Sequence, residues 1–149
     1  MALLAAALGG AVALYDIVKP LVGRPRPPSS IWIGHYAGAA FPSGHATAAV
    51  ALYAALAVVL SMGASYGRRA LVWSGATLVA LVVGASRVYL GAHWVTDVLG
   101  GYALGAAWVA LLVVIGLLFR SRTPREAGEE SASGVPSRSE RLRRRREVA

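Results

Sequence analysis

Long apolar runs without a charged side chain make up most of this chain. Between Ala46 and Met62, and again between Leu71 and Ala85, there is no Asp, Glu, Lys or Arg. A helix on the surface of a soluble domain carries a charged outer face, which these runs do not supply. A bilayer core about 30 Å thick needs about 20 apolar residues in each spanning helix. The sequence therefore predicts an all-α, multi-pass membrane protein.

Four runs are long enough, or nearly long enough, to cross a membrane as helices. They are residues 2–18, 45–62, 70–86 and 98–119. We expect the first run to be retained rather than removed as a signal peptide, because no basic region precedes it. The short connection between the second and third runs predicts antiparallel neighbours. Gly101 and Gly105 have the small-xxx-small spacing that lets another helix approach closely. Together the runs define a predicted membrane domain over residues 1–119.

Residues 120–149 have a different composition from the rest of the chain. They hold nine of the 15 lysines and arginines, four of them consecutive at 143–146. A segment with so little apolar surface cannot bury enough of it to fold, so the sequence predicts a disordered basic tail. The tail has no interleaved aromatic residues. We therefore expect a topological role or contact with anionic lipid, and no nucleic-acid partner.

The positive charges also predict an orientation. One side of the membrane receives Arg68, Arg69 and the tail, and the other receives Lys19, Arg24, Arg26 and Arg87. The positive-inside rule places the more basic side in the cytoplasm. The second group then lies on the extracytoplasmic face of the cell membrane. An even number of spans puts the amino terminus in the cytoplasm as well.

A stiff basic segment follows the first apolar run. Residues 19–28 contain four prolines and three cations. Because proline fixes its own φ and restricts the residue before it, we expect an extended loop here rather than a helix. Asp16, just ahead of the segment, is expected to pair with Lys19 or Arg24. Residues 29–40 are expected to lie at the depth of the lipid headgroups.

The second apolar run opens with Pro42-Ser43-Gly44-His45. Ser43 is in a typical N-cap position, and the free backbone N–H groups that follow it point along the helix axis. Such a helix start can bind an anion. An ordinary cap followed by a chance histidine is the alternative for this segment taken alone.

Residues 86–97 place a guanidinium, an imidazole and a carboxylate between two apolar runs. If a helix begins at Leu90, His93 and Asp97 lie four residues apart on one face, where the carboxylate can accept a hydrogen bond from the ring. That pairing fixes one tautomer and directs the other nitrogen outward, as a nucleophile or base requires. A helix start with a polar first turn explains the same residues equally well.

Taken together, the loops on one face offer cations, helix-start donors, two histidines and one carboxylate. The cations are Lys19, Arg26 and Arg87. Phosphoryl transfer needs such a set, because the protein must hold a dianion, compensate its charge and supply a nucleophile and an acid. A divalent metal fits poorly, since hard cations prefer several carboxylates. We therefore expect no metal and no other cofactor.

Three ordered segments carry a resemblance to a known family. They are Lys19-x6-Arg26-Pro27, Pro42-Ser43-Gly44-His45 and Ser86-Arg87-x5-His93-x3-Asp97. They resemble the motifs of the type 2 phosphatidic acid phosphatase superfamily, membrane lipid phosphatases that share a site with vanadium haloperoxidases. The spacing selects Arg26 rather than Arg24 for the first motif. Membrane members typically carry further spans ahead of that motif, so we expect a compact member, a fragment, or a chain that completes its bundle as a homo-oligomer.

The resemblance implies a role for each matched residue. His93 attacks phosphorus and forms a phosphohistidine, Asp97 holds its ring, and His45 protonates the leaving oxygen and then activates water. The phosphate-binding residues are Lys19, Arg26, Ser43, Gly44 and Arg87. The two histidines must begin in opposite protonation states, His93 neutral and His45 protonated.

The implied function is metal-independent hydrolysis of a lipid phosphomonoester or pyrophosphate at the outer face of the membrane. Phosphatidic acid, phosphatidylglycerol phosphate and polyprenyl pyrophosphate are candidate substrates. One alternative is a phosphotransferase that uses the same site with a hydroxyl acceptor. Another is a non-catalytic scaffold that binds phospholipid. A haloperoxidase is disfavoured, because its soluble members lack apolar spans.

Overall fold

The computed structural model describes residues 1–122, which form four α-helices and one short 3₁₀ helix. The α-helices are α1 (Ala2–Val22), α2 (Gly44–Ser61), α3 (Tyr66–Tyr89) and α4 (Val95–Arg122), and the 3₁₀ helix is Ser29–Ile31. All four α-helices are long and apolar enough to cross a membrane. The prediction of an all-α bundle with four spans is confirmed.

The chain divides into two units, Met1–Ile115 and Gly116–Ala149. The first unit contains α1, α2, α3, most of α4 and every residue of the candidate site. Helix α4 runs on to Arg122, past the predicted end of the fourth span at residue 119. Arginine favours helix, and cations near a helix C-terminus interact well with its dipole. The rest of the predicted tail, 123–149, lies outside the described residues.

Helix α1 also extends past its predicted end at Val18 and includes Pro20. A proline removes only one hydrogen bond when it lies in the last turn of a helix. The turn still closes, because the N–H of Gly23, in the left-handed conformation with φ 60°, donates to the carbonyl of Lys19 at 2.9 Å. The extended loop expected from residue 19 therefore begins at Gly23, and Lys19 lies on the last turn of the helix.

Small side chains allow the helices to pack closely. Helix α2 contacts both α1 and α3. A Cβ added to Gly101 of α4 would lie 2.7 Å from the carbonyl oxygen of Ser43, and one added to Gly105 would lie 2.6 Å from that of Thr47. The predicted close approach at these two glycines is confirmed, and the partner is α2.

The interior of the bundle is built mainly from alanine. Its central cluster consists of Ala7, Ala11, Ala51, Ala55 and Val109. Two polar aromatic side chains tie α4 to its neighbours: the indole of Trp108 donates to the Ala6 carbonyl at 3.1 Å, and the hydroxyl of Tyr102 donates to the Ala80 carbonyl at 2.9 Å. Large apolar side chains are mostly exposed. That distribution suits helices whose outer faces meet lipid.

Candidate active site

The end of α1, the start of α2, the end of α3 and the start of α4 meet at one end of the bundle. They enclose a cavity of about 360 Å³. Its lining residues are Tyr15, Lys19, Arg26, Tyr36, Gly44, His45, Ala48, Arg87, Ala92 and His93. Six of the eight predicted site residues are therefore brought together in one cavity. The other two, Ser43 and Asp97, are fully buried and do not line it.

The nucleophile candidate, His93, lies in a turn between two helices. Helix α3 ends at Tyr89 and α4 begins at Val95, so the predicted helix from Leu90 is wrong. Gly91 makes the turn with φ 67°, a backbone conformation that L side chains rarely adopt. A Cβ at this position would also collide with the carbonyl of Ile31. The N–H of His93 donates to the Arg87 carbonyl at 3.3 Å. The end of α3 therefore fixes the backbone of His93.

The carboxylate of Asp97 lies beside the His93 ring but does not bond it. Oδ2 is 3.6 Å from Nδ1, which is too long for a hydrogen bond. The same oxygen accepts the backbone N–H of Trp94 at 2.8 Å. This is the contact of an N3 acidic residue with the N-cap of its own helix, half of a capping box. The polar first turn is therefore observed as a capping contact, and the expected hydrogen bond from the His93 ring to Asp97 is absent, although the two groups lie side by side.

The guanidinium of Arg26 lies next to the other ring nitrogen. Its Nη1 is 3.5 Å from Nε2 of His93 and donates to the Ala92 carbonyl at 2.7 Å. Nη2 donates to Ala37 at 2.9 Å and Nε to Gly38 at 3.1 Å. A guanidinium has five N–H donors. Three bind these carbonyls and a fourth, on Nη1, faces Nε2 of His93, so one donor on Nη2 remains for a ligand in the cavity.

Lys19 is held in a similar way, by the loop that precedes α2. Its Nζ donates to the Ala39 carbonyl at 3.0 Å, which leaves two of its three N–H donors for a ligand. The third predicted cation, Arg87, is on the last turn of α3, where its Nε donates to Ser86 Oγ at 3.2 Å. Two of the three cations are thus positioned by main-chain oxygens before any phosphate arrives.

Burial lowers the pKa of His93 to about 4, and the positive charge of Arg26 acts in the same direction. The Ala40 carbonyl and the Asp97 carboxylate oppose this shift without cancelling it. Burial also lowers the pKa of Arg26. The imidazole of His93 is therefore neutral at neutral pH, as a nitrogen nucleophile requires.

At the start of α2 no side-chain cap binds the free backbone N–H groups. Ser43 has the N-cap position, but its Oγ makes no capping hydrogen bond and, within residues 1–122, has no hydrogen-bond partner at all. Its backbone N–H donates to the Asp97 carbonyl at 2.9 Å, which ties α2 to the first turn of α4. Gly44 lies against the Tyr15 ring, 3.2 Å from where a Cβ would be. His45 follows on the exposed side of the first turn.

Sequence reasoning missed Arg24, which pairs with Asp97 Oδ1 at 3.1 Å and donates to Thr96 Oγ1. Within the described part of the chain Asp16 forms no ion pair with Lys19 or Arg24, so the expected contact is absent, although the charge of Asp16 acts on Lys19 from farther away. No spacing rule connects residues 24 and 97, because the contact joins the loop after α1 to the first turn of α4, far apart in sequence.

Two tyrosines of the cavity wall were also missed. The Lys19 ammonium lies 6.0 Å from the centre of the Tyr15 ring, and the Arg26 guanidinium lies 5.7 Å from that of Tyr36. Tyr15 and Lys19 are four residues apart, so their contact would have been predicted had the helix been extended through Lys19. Residues 1–122 contain no cluster of three or more His, Cys, Asp or Glu that could hold a metal.

Fold and site together define a multi-pass helical membrane protein with a basic, histidine-containing pocket at one end of its bundle. The chain belongs to the PAP2 superfamily, whose family model matches residues 1–120. The resemblance found in the three sequence motifs is confirmed.

The chain is similar to named phosphatases. It is 38% identical over 94 residues to phosphatidylglycerophosphatase B of Bacillus subtilis (62% of this chain, 46% of the relative). It is 34% identical over 121 residues to a lipid A 1-phosphatase of Rhizobium johnstonii (72% of this chain, 46% of the relative). A crystal structure of a transmembrane PAP2 type phosphatidylglycerolphosphate phosphatase from Bacillus subtilis matches with TM-score 0.68 and 34% identity, over 83% of this chain and 60% of that one. The chain spans about half the length of the first two relatives.

Proposed function

We propose that this protein is an integral membrane lipid phosphatase that hydrolyses a phosphomonoester or pyrophosphate of a lipid through a phosphohistidine, without a metal. The observation that carries the proposal is the position of His93. Its neutral imidazole has one nitrogen facing Asp97 and the other 3.5 Å from the Arg26 guanidinium, in the cavity that also contains Lys19 and His45.

The first step forms a bond from Nε2 of His93 to phosphorus and breaks the bond from phosphorus to the leaving oxygen. Lys19, Arg26 and Arg87 bind the equatorial oxygens, and their charge stabilises the transition state in a site that burial partly shields from water. The Gly44 N–H, on the cavity wall, adds a neutral donor at the start of α2, whereas Ser43 Oγ is buried behind the wall and would have to turn toward the cavity to add another. Asp97 compensates the positive charge that develops on the imidazole.

His45 gives its proton to the leaving oxygen in that step. A lipid alkoxide is a poor leaving group, so general-acid help of about 10² to 10⁴ in rate matters most for a monoester. In the second step His45 takes a proton from water, the water oxygen attacks phosphorus, and the bond from phosphorus to His93 breaks. Inorganic phosphate and free His93 are the products.

The proposal of metal independence rests on which metal ligands the cavity offers. A divalent cation would have to enter a cavity lined by three cations, and the Asp97 carboxylate is occupied by Arg24 and by the Trp94 amide. Hard cations need several free oxygen ligands, which this site does not supply.

We place the site on the extracytoplasmic face. Arg68 and Arg69 are at the start of α3, and the cavity is at its end, so they lie at opposite ends of the bundle. The positive-inside rule then puts the two arginines in the cytoplasm. A phosphate at headgroup depth could enter the cavity while its acyl or prenyl chain stays in the bilayer. Phosphatidylglycerol phosphate, phosphatidic acid and a polyprenyl pyrophosphate are the substrates to test first.

The test is phosphate release by the purified full-length protein in detergent, with each of these lipids, with and without EDTA. We expect release that EDTA leaves unchanged, that vanadate inhibits, and that His93→Ala abolishes. Transfer of the phosphoryl group to an added alcohol, in place of release, would favour a phosphotransferase.

Absence of release with every lipid would refute the phosphatase. Loss of activity in EDTA that Mg²⁺ restores would refute the metal-free mechanism. Full activity of His93→Ala would refute the phosphohistidine. Arg69→Gln, which removes a cation at the other end of α3, is the matched control and should keep full activity.

A further inference from the structure

Asp97 is a fully buried carboxylate with few partners. Its Oδ2 faces the Trp94 amide at 2.8 Å and the His93 ring at 3.6 Å. Its Oδ1 makes no hydrogen bond in the described structure and has one permanently charged neighbour within ion-pair distance, Nη1 of Arg24 at 3.1 Å. A buried carboxylate without a counter-charge is costly, and Arg24 supplies that counter-charge to Asp97.

Arg24 is itself held in place from two sides. Its guanidinium donates to Thr96 Oγ1 and lies 5.9 Å from the centre of the Trp94 ring. The Trp94 indole in turn donates to the carbonyl of Pro25 at 3.1 Å. The main chain is tied as well, since the Arg24 carbonyl accepts the Ala40 N–H at 2.8 Å. The loop after α1 is thus joined to the start of α4 through Arg24.

Arg24 does not line the cavity. Its guanidinium contacts Oδ1 of Asp97, whereas the carboxylate oxygen that faces His93 is Oδ2. Arg26, two residues later, faces Nε2 of His93, the ring nitrogen directed away from Asp97. The two arginines of the Arg-Pro-Arg-Pro segment therefore contact the same carboxylate and imidazole pair from opposite ends.

We propose that Arg24 is a positioning residue for the reaction: it fixes the Asp97 carboxylate so that Oδ2 lies 3.6 Å from Nδ1 of His93. At that distance the negative charge of Oδ2, without a hydrogen bond, favours a proton on Nδ1 and so sets the tautomer and aim of the nucleophile, while Arg24 does not touch phosphate. The inference rests on the proposed phosphatase function. An imidazole protonated on Nδ1 has its lone pair on Nε2, the nitrogen that faces Arg26 and the cavity.

The kinetic test uses dioleoyl phosphatidic acid in detergent micelles and the full chain. We expect Arg24→Gln to lower kcat about 10²-fold, the usual cost of a misplaced reacting group, with little change in KM. Arg24→Lys keeps the charge and should recover most of the loss. In an Asp97→Asn background the same Arg24→Gln change should lower kcat less than about threefold, because Arg24 acts through the Asp97 carboxylate and that carboxylate is already gone.

A residue that only holds the loop, or that binds phosphate, would behave differently. Equal losses from Arg24→Gln in the wild-type and Asp97→Asn backgrounds would overturn the proposal. So would a rise in KM with unchanged kcat. Arg69→Gln is the matched control, because it removes one arginine at the other end of α3, and it should have wild-type kinetics.

A second measurement does not need turnover. The ¹⁵N shifts of the His93 ring, assigned by their loss in His93→Ala, should show the Nδ1–H tautomer in the wild type and in Arg24→Lys, and a mixture of tautomers in Arg24→Gln. Identical shifts in Arg24→Gln and the wild type would overturn the proposal even if the protein is an active phosphatase. Shifts that change as expected in a protein that releases no phosphate would instead count against the proposed function alone.

Discussion

Replacing Gly101 by alanine should separate activity from stability. The added Cβ would lie 2.7 Å from the Ser43 carbonyl oxygen and 3.0 Å from Ala46 Cβ. An ordinary carbon–oxygen contact is about 3.3 Å, so α4 and the start of α2 must part by about 0.6 Å. Such overpacking costs about 1–3 kcal/mol, of which the better helix propensity of alanine returns about 1 kcal/mol. We expect a net loss of stability of about 0–2 kcal/mol.

Turnover should fall as well, because the moving atoms belong to the site. Ser43 donates to the carbonyl of Asp97 across the widened contact. A misplacement of about 1 Å can cost about 10²-fold in rate, so a shift of 0.6 Å should cost about 10-fold. Phosphate release and thermal unfolding in detergent measure the two effects. Gly116→Ala, on the same helix with nothing within 4 Å, is the matched control and should keep full activity. Wild-type turnover of Gly101→Ala would refute this account of the contact between α2 and α4.

Three further predictions concern the histidines and their turn. Burial and Arg26 hold the pKa of His93 at about 4. An NMR titration should therefore show a neutral ring from neutral pH down to about pH 5, and only below that should protonation remove the nucleophile. A titration midpoint near pH 6.5 would contradict this prediction. His45→Ala should slow hydrolysis of phosphatidic acid more than that of a polyprenyl pyrophosphate, whose leaving group needs less protonation; equal losses would refute the acid role. Gly91→Ala should lower kcat at least about 10-fold by displacing His93, and unchanged phosphate release would show that the turn tolerates a side chain.

The sequence was sufficient to predict the number and order of the helices, because uncharged apolar runs of that length are typical of membrane-spanning helices. It was less reliable at their ends. The four prolines of residues 19–28 predict an extended loop, but the helix continues to Val22 because Gly23 closes its last turn. The spacing of His93 and Asp97 suits a helix that begins at Leu90, but the positive φ of Gly91 forces a turn first. Helix ends depend on local hydrogen bonds that periodicity does not reveal.

Motif order and charge predicted which residues share the cavity, as for Lys19, His45 and His93. They did not predict how those residues are held. Arg24 and Asp97 are brought together only by the packing of the loop after α1 against the start of α4, so neither spacing nor composition could pair them. The same holds for the carbonyl oxygens that bind Arg26, since every residue has a carbonyl and only the fold determines which ones face a cation.

Those carbonyl oxygens also bear on how the protein can vary. Lys19 and Arg26 are held by oxygens of Ala37, Gly38, Ala39 and Ala92, all of them main-chain atoms. Any amino acid that keeps the backbone path provides the same oxygen. Evolution could therefore exchange the side chains at residues 37 and 39 while the same main-chain oxygens still hold the two cations. The surroundings of Lys19 and Arg26 could in this way diverge in sequence without moving either charge.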